Sequence, residues 1–209
     1  MNGVSRCRLA VEALTARIDE TLETYRRLQV PFRWTITPGS TPGLADRLRE
    51  RGLEERSVVG LHGEVSAQGT TRPQVSAHAI GAAELPEFTR VMAEGWSTEP
   101  APLAAYNERL LAHADRQRLF LALVDDEPAG TAGLAILQRS VYLIGAVVLP
   151  RFRGRGVYRA LVEARLQVAR ELGRALVTCQ AHPDTSAPIL KALGFSTIGT
   201  FPTFHWRPG

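Results

Sequence analysis

The 209-residue sequence predicts a mixed α/β fold: a mostly antiparallel central sheet flanked by helices, preceded by a small α/β half-domain. Three observations carry this reading. The apolar runs "LFLALV" and "TAGLAILQ" are joined by the tight turn "DDEPAG", which favours antiparallel pairing. A long helix starting at Gly156 separates strand "VYLIGAVV" from strand "ALVTCQA", which demands a parallel, right-handed crossover. The polar, Gly-broken stretch Gly63 to Pro73, "GEVSAQGTTRP", divides the chain as a linker would, so the expected domains are residues 1–62 and 74–209.

In chain order, Leu9, Val11, Leu14, Ile18, Leu22, Tyr25 and Leu28 recur at three- and four-residue steps and predict an amphipathic helix. "VPFRWTIT" reads as a strand, "PGSTPG" as a turn, "LADRLRER" as a short helix stopped by Gly52, and "SVVGLH" as a strand. Past the linker come strand "VSAHAI", helices around Leu85–Ala93 and Leu103–Ala114, and the strands named above. After "ALVTCQA" a short helix ends at Gly194, and two strands, "FSTIGTF" and "FHW", close the chain. Ser186 has the residue type and position of that helix's N-cap.

Laying Gly52 on Gly194 exposes an internal repeat. The order helix, strand, turn, short helix, Gly-apolar, strand recurs, with Leu48 falling on Leu190 and Leu53 on Phe195. One part does not recur: "RGRGVY" falls on "LAVEAL".

Composition narrows the function. Net charge is +4, spread evenly along the chain, with no basic stripe or tail for nucleic acid. Of the 25 basic residues only Lys191 is lysine, a bias that reads as genomic base composition. Cys7 and Cys179 are too few for a disulfide framework, and no apolar run approaches the ~20 residues of a membrane span. The N-terminus lacks a signal peptide's long apolar stretch, so the expected compartment is the cytoplasm.

The chemistry concentrates in "VVLPRFRGRGVYRALV". A helix N-terminus already carries positive potential, so crowding arginines there is unfavourable unless an anion meets them. Gly154 and Gly156 let the backbone approach such an anion closely. Successive N–H groups from Gly154 through Val157 and Tyr158 to Arg159 can cradle a pyrophosphate, with Arg153 and Arg155 as charge-assisted donors.

This stretch resembles the acetyl-CoA-binding motif of the GNAT superfamily of acyl-CoA-dependent N-acetyltransferases, with Tyr158 where the family has Gly or Ala. "TCQAHPDTSAPILKALGFSTIG" is similar to the family's second motif, and the resemblance covers roughly the last two thirds of the chain. It implies acetyl-CoA as cosubstrate, no metal, and a small amine as acceptor. It also implies that Ala146, Val147 and Val148 lie on a strand that splays from its neighbour and offers backbone groups to the pantetheine arm, as a further strand would. An N–H there can also face the thioester oxygen.

An alkylamine must lose a proton before it attacks the thioester, whereas an aromatic amine need not. The glutamate that relatives often place on the central strand is absent from "SVYLIGAVV". The remaining candidates are His182, as base or as a turn residue, and Glu94, as amine ligand or solvated surface charge. Trp96 and Tyr106 line an aromatic acceptor pocket or plug the core. Cys179 reads as a small core residue. Leu190 stands where many relatives carry the tyrosine that protonates the departing thiolate. The sequence thus supports an acetyltransferase. It also leaves open a silent acetyl-CoA-binding module, or an interaction protein that uses its N-terminal half as a homodimer surface.

Overall fold

In chain order the computed structural model, which describes residues 2–5, 7–65 and 74–208, begins with β1 (Asn2–Val4), α1 (Val11–Leu28), β2 (Phe32–Thr35), α2 (Leu44–Glu50) and β3 (Glu54–Glu64). There follow β4 (Val75–Ala79), α3 (Leu85–Trp96), α4 (Pro100–Leu111), β5 (Gln117–Val124), β6 (Glu127–Ile136) and β7 (Ser140–Val148). The chain ends with α5 (Val157–Glu171), β8 (Leu176–Ala181), α6 (Ser186–Ala192) and β9 (Ser196–Trp206). The expected mixed sheet with flanking helices is present. Strand β1 had no counterpart in the sequence reading. "FSTIGTF" and "FHW" form one strand instead of two: Pro202 cannot donate, but its carbonyl accepts the Ile36 N–H at 3.0 Å, so pairing runs through it.

Two compact units emerge, and they do not follow chain order. The first holds the described residues through Gly60 together with Ala181–Pro188 and Thr197 onward; the second holds Leu61–Gln180 and Ile189–Ser196. Of the expected linker, residues 66–73 lie outside the described residues, while Gly63 and Glu64 complete β3.

In the first unit β1 pairs parallel to β2, β2 pairs antiparallel to β9, and β9 neighbours β3. The helical spacing of Leu14, Ile18 and Leu22 puts all three on one buried face of α1. They pack with Leu44 and Leu48 of α2, Phe32 and Trp34 of β2 and Phe204 of β9. Tyr25 closes this core by stacking on Phe32, ring centroids 4.3 Å apart.

In the second unit the strand order is β8-β7-β6-β5-β4, with the end of β3 beside β8. Only the β7–β8 pair among these five is parallel. Asp125 and Asp126, both with positive φ, form the two-residue turn between β5 and β6. Helix α5 covers one face of the sheet: a side chain at Gly130 would meet Val157 and Leu161. Helices α3 and α4 lie on the other, where Gly95 is pressed onto the Val147 side chain.

The repeat has a structural counterpart. With Gly52 on Gly194, α2 falls on α6 and β3 on β9 residue for residue. The joining turns match as well, Leu53 N–H donating to the Leu48 carbonyl at 3.3 Å and Phe195 N–H to the Leu190 carbonyl at 3.1 Å. The two end strands are exchanged: β9 stands next to β2, and β3 next to β8.

Candidate active site

Strand β7 is irregular where the site forms. Thr131 pairs with Val147 but Gly133 pairs with Ile144, so Gly145 and Ala146 together oppose Ala132 in a bulge. Gly145 takes φ +57°, a value that penalises any side chain. On its other edge β7 pairs with β8 only from Ser140↔Leu176 to Leu143↔Cys179, although both strands run on, β7 to Val148 and β8 to Ala181. The strands part there. Because Leu149 N–H donates to Ala129, ladder alternation ties Val147 to β6 and turns the N–H and C=O of Val148 toward the open edge. Of the three residues expected on this strand, Ala146 sits in the bulge, Val148 offers main-chain groups, and Val147 packs against α3.

Beyond β7, a single turn at Pro150–Phe152 leads into the glycine loop. Gly154 (φ +76°) and Gly156 (φ +94°) are both left-handed, and Gly156 is the residue before the first turn of α5. The main chain therefore curls so that the helix's first N–H groups face outward from its start. The loop's cations are not equivalent. Arg151 pairs with Glu94 and with Glu127, lying 4.9 Å over the Phe152 ring; Arg155 pairs with Asp125 at 2.7 Å. Arg153 and Arg159 make no ion pair among the described residues, so theirs are the loop's guanidinium groups without a carboxylate partner there.

Tyr158, the departure from the family pattern, is half-buried and lies beside the guanidinium of Arg165. Arg165, on α5, is fully buried. It donates to the Leu161 carbonyl at 2.8 Å and to the Gly133 carbonyl at 3.3 Å, tying α5 to β6. Burial lowers its pKa to about 10, with Tyr158 and Cys179 partly opposing the shift, so it remains charged at neutral pH. Its only sequence signal is an arginine at the i+4 position from apolar Leu161.

The candidate acid–base residues do not converge. Glu94 is held by Arg151 and, at 3.2 Å, by Arg90, so an amine ligand would compete with two guanidinium groups. His182 belongs to the first unit, whereas the loop, Glu94, Trp96 and Tyr106 belong to the second. Its Nδ1 accepts the Asp184 N–H at 3.3 Å, and its own N–H donates to Ser186 Oγ at 2.9 Å. Trp96 and Tyr106, on α3 and α4, are 38% and 41% exposed and do not fill the core. Leu190 is buried in α6.

Cys179 is buried on β8. Burial pushes its thiol up to about 11, the Arg165 charge partly opposing the shift. Cys7 is shifted upward by burial too. Since the thiolate is the reactive form, both thiols should resist Ellman's reagent at pH 8 and titrate only after denaturant is added. Immediate labelling of the native protein would show that this core opens readily.

The family described as "Acetyltransferase (GNAT) family" matches residues 79–195. A comparison with curated proteins finds no match. Among solved structures, a GCN5-related N-acetyltransferase from Sphaerobacter thermophilus is similar with TM-score 0.70 and 15% identity, over 95% of this chain and 70% of that one. Another from Kribbella flavida gives TM-score 0.64 and 21% identity, over 93% and 77%. An aminoglycoside N-acetyltransferase in complex with CoA gives TM-score 0.51 and 23% identity, over 63% and 91%. The bulged strand, its parting from β8 and the glycine loop all fall inside the matched span, and the chain belongs to the acetyltransferase (GNAT) family.

Proposed function

We propose that the protein transfers the acetyl group of acetyl-CoA to the amine of a small molecule. The observation that carries this reading is the parting of β7 from β8 next to the glycine loop, all within one unit. A pantetheine arm laid along the open edge of β7 finds the main-chain groups of Val148 and the bulge at Ala146. Its diphosphate then meets Gly154, Gly156 and the first turn of α5, with Arg153 and Arg159 as free cations. The thioester reaches the bulge, where an N–H can stabilise the oxyanion as the amine attacks. The C–N bond forms, the C–S bond breaks, and coenzyme A leaves as thiolate. With Leu190 in the tyrosine's usual place, that thiolate takes its proton from water, as a thiol of ordinary acidity permits.

Mixing the protein with acetyl-CoA and a panel of alkyl and aryl amines tests this. Thiol release that depends on the amine is expected. Tight acetyl-CoA binding with no release from any amine would support the silent binding module, which the absent glutamate and tyrosine favour. The register of α2 with α6 and β3 with β9 supports reading residues 1–62 as a degenerate copy of the family's C-terminal half, without its coenzyme loop.

A further inference from the structure

Resting on the transferase reading, we propose that His62, on the exchanged strand β3, is the group that takes the proton from the attacking amine. Strand alternation divides the second unit's sheet into two faces. Val141, Leu143, Val177 and Cys179 are buried on the α5 side. Tyr142, Ile144, Leu176, Thr178 and Gln180 look the other way and are partly exposed, Ile144 at 36% and Leu176 at 40%. This second face floors the place where β7 leaves β8.

The end of β3 lies along that floor. Val65 N–H donates to the Ala175 carbonyl at 2.9 Å, and a side chain at Gly63 would stand 3.4 Å from Val177 Cγ1. Stepping back along β3 is stepping forward along β8, so the pair is antiparallel, with Gly63 opposite Val177 and His62 opposite Thr178. Gly63 points to the buried face, so His62 and Glu64, both exposed, point to the open one. Thr178 pairs in turn with Tyr142. His62, Thr178 and Tyr142 thus form one row across three strands, His62 about 10 Å from Tyr142 between Cα atoms at ordinary strand spacing.

That row comes immediately before Leu143↔Cys179, the last pair before the strands part. An amine resting on Thr178 is within reach of the imidazole directly or through one water. Among the described residues, Glu64 is the one carboxylate on this stretch of the floor. It lies opposite Leu176, one row farther from the opening, too remote to act. Among the described residues of this unit, the floor's other titratable side chains are the Tyr142 phenol and, far off on the edge strand β4, His78, which is paired with Glu84; β8 contributes none. An alkylammonium gives one proton to His62, which passes it to solvent; the neutral amine attacks, its second proton also goes to solvent, and the departing thiolate takes one from water. The sum is amide, free thiol and one released proton.

The test compares His62→Gln with the native protein, using an alkylamine that the panel shows to be an acceptor and an arylamine of similar size. For the alkylamine, kcat/KM should fall by about 100-fold and the acid limb of its pH profile should disappear. The arylamine rate should change little, and acetyl-CoA affinity by calorimetry should be unchanged. An alkylamine rate and acid limb the same as native would overturn the proposal. So would an equal loss for both amines, which marks a merely structural role. Absence of thiol release from any amine with the native protein is a different failure: it removes the transferase reading itself, and the base with it.

Discussion

Replacing Gly156 with valine should weaken acetyl-CoA binding by roughly 100-fold, about 2.8 kcal/mol, in a protein that still folds. Two effects add. The residue holds φ +94° just ahead of α5, where a β-branched side chain is strained and the loop must relax away from its cradle shape. On the proposed coenzyme site, any side chain at that point also stands where the diphosphate would approach the main chain. Gly156→Ala, with the same φ demand and a smaller obstruction, should fall between the two. Calorimetry with acetyl-CoA measures the loss, and thermal unfolding checks that the fold persists. Unchanged affinity in folded Gly156→Val would remove the loop from the coenzyme site. Arg153→Gln should cost less and lose its effect at high salt, because an exposed guanidinium acts mainly through screened charge.

A chain begun at Gln74 should fail to yield soluble, monomeric protein. The truncation takes away α1, β2 and α2, against which Phe204 of β9 is buried, and it takes away β3, which borders β8. Strand β9 would then carry an apolar face and two unpaired edges, a combination that recruits other chains. The expected result is aggregation on size-exclusion chromatography, even though the family match begins only at residue 79. A monodisperse, cooperatively unfolding product would mean that the second unit is stable without its borrowed strand.

The glycine loop, the crossover helix and the hairpin of β5 and β6 were legible because each has a local cause: left-handed glycines, a 3.6-residue apolar period, a tight turn between apolar runs. The exchange of β3 and β9 was not. Both strands have the same length and follow the same helix-Gly-apolar turn, so nothing local distinguishes a strand that pairs with its own half from one that pairs with the other. The proposed role of His62 has no signal in the sequence for the same reason. As one polar residue in "VVGLHGE" it marks only the outward face of a strand; what gives it meaning is its neighbour Thr178, more than a hundred residues away. The bulge at Gly145 had a signal in hindsight, a glycine inside an otherwise β-branched and aromatic strand.

The placement of β9 also sets a timetable. The first sixty residues emerge first from the ribosome, yet the core of Leu14, Ile18, Phe32 and Trp34 is sealed by Phe204, near the far end of the chain. At ~5–20 residues per second, the early segment waits roughly 7–30 s with its apolar face uncovered before its last strand is made. Pairing so distant in sequence is also slow to form once the strand is available. The nascent N-terminal half is therefore the stretch on which a chaperone would act, and a destabilised variant should be lost during synthesis more readily than after it.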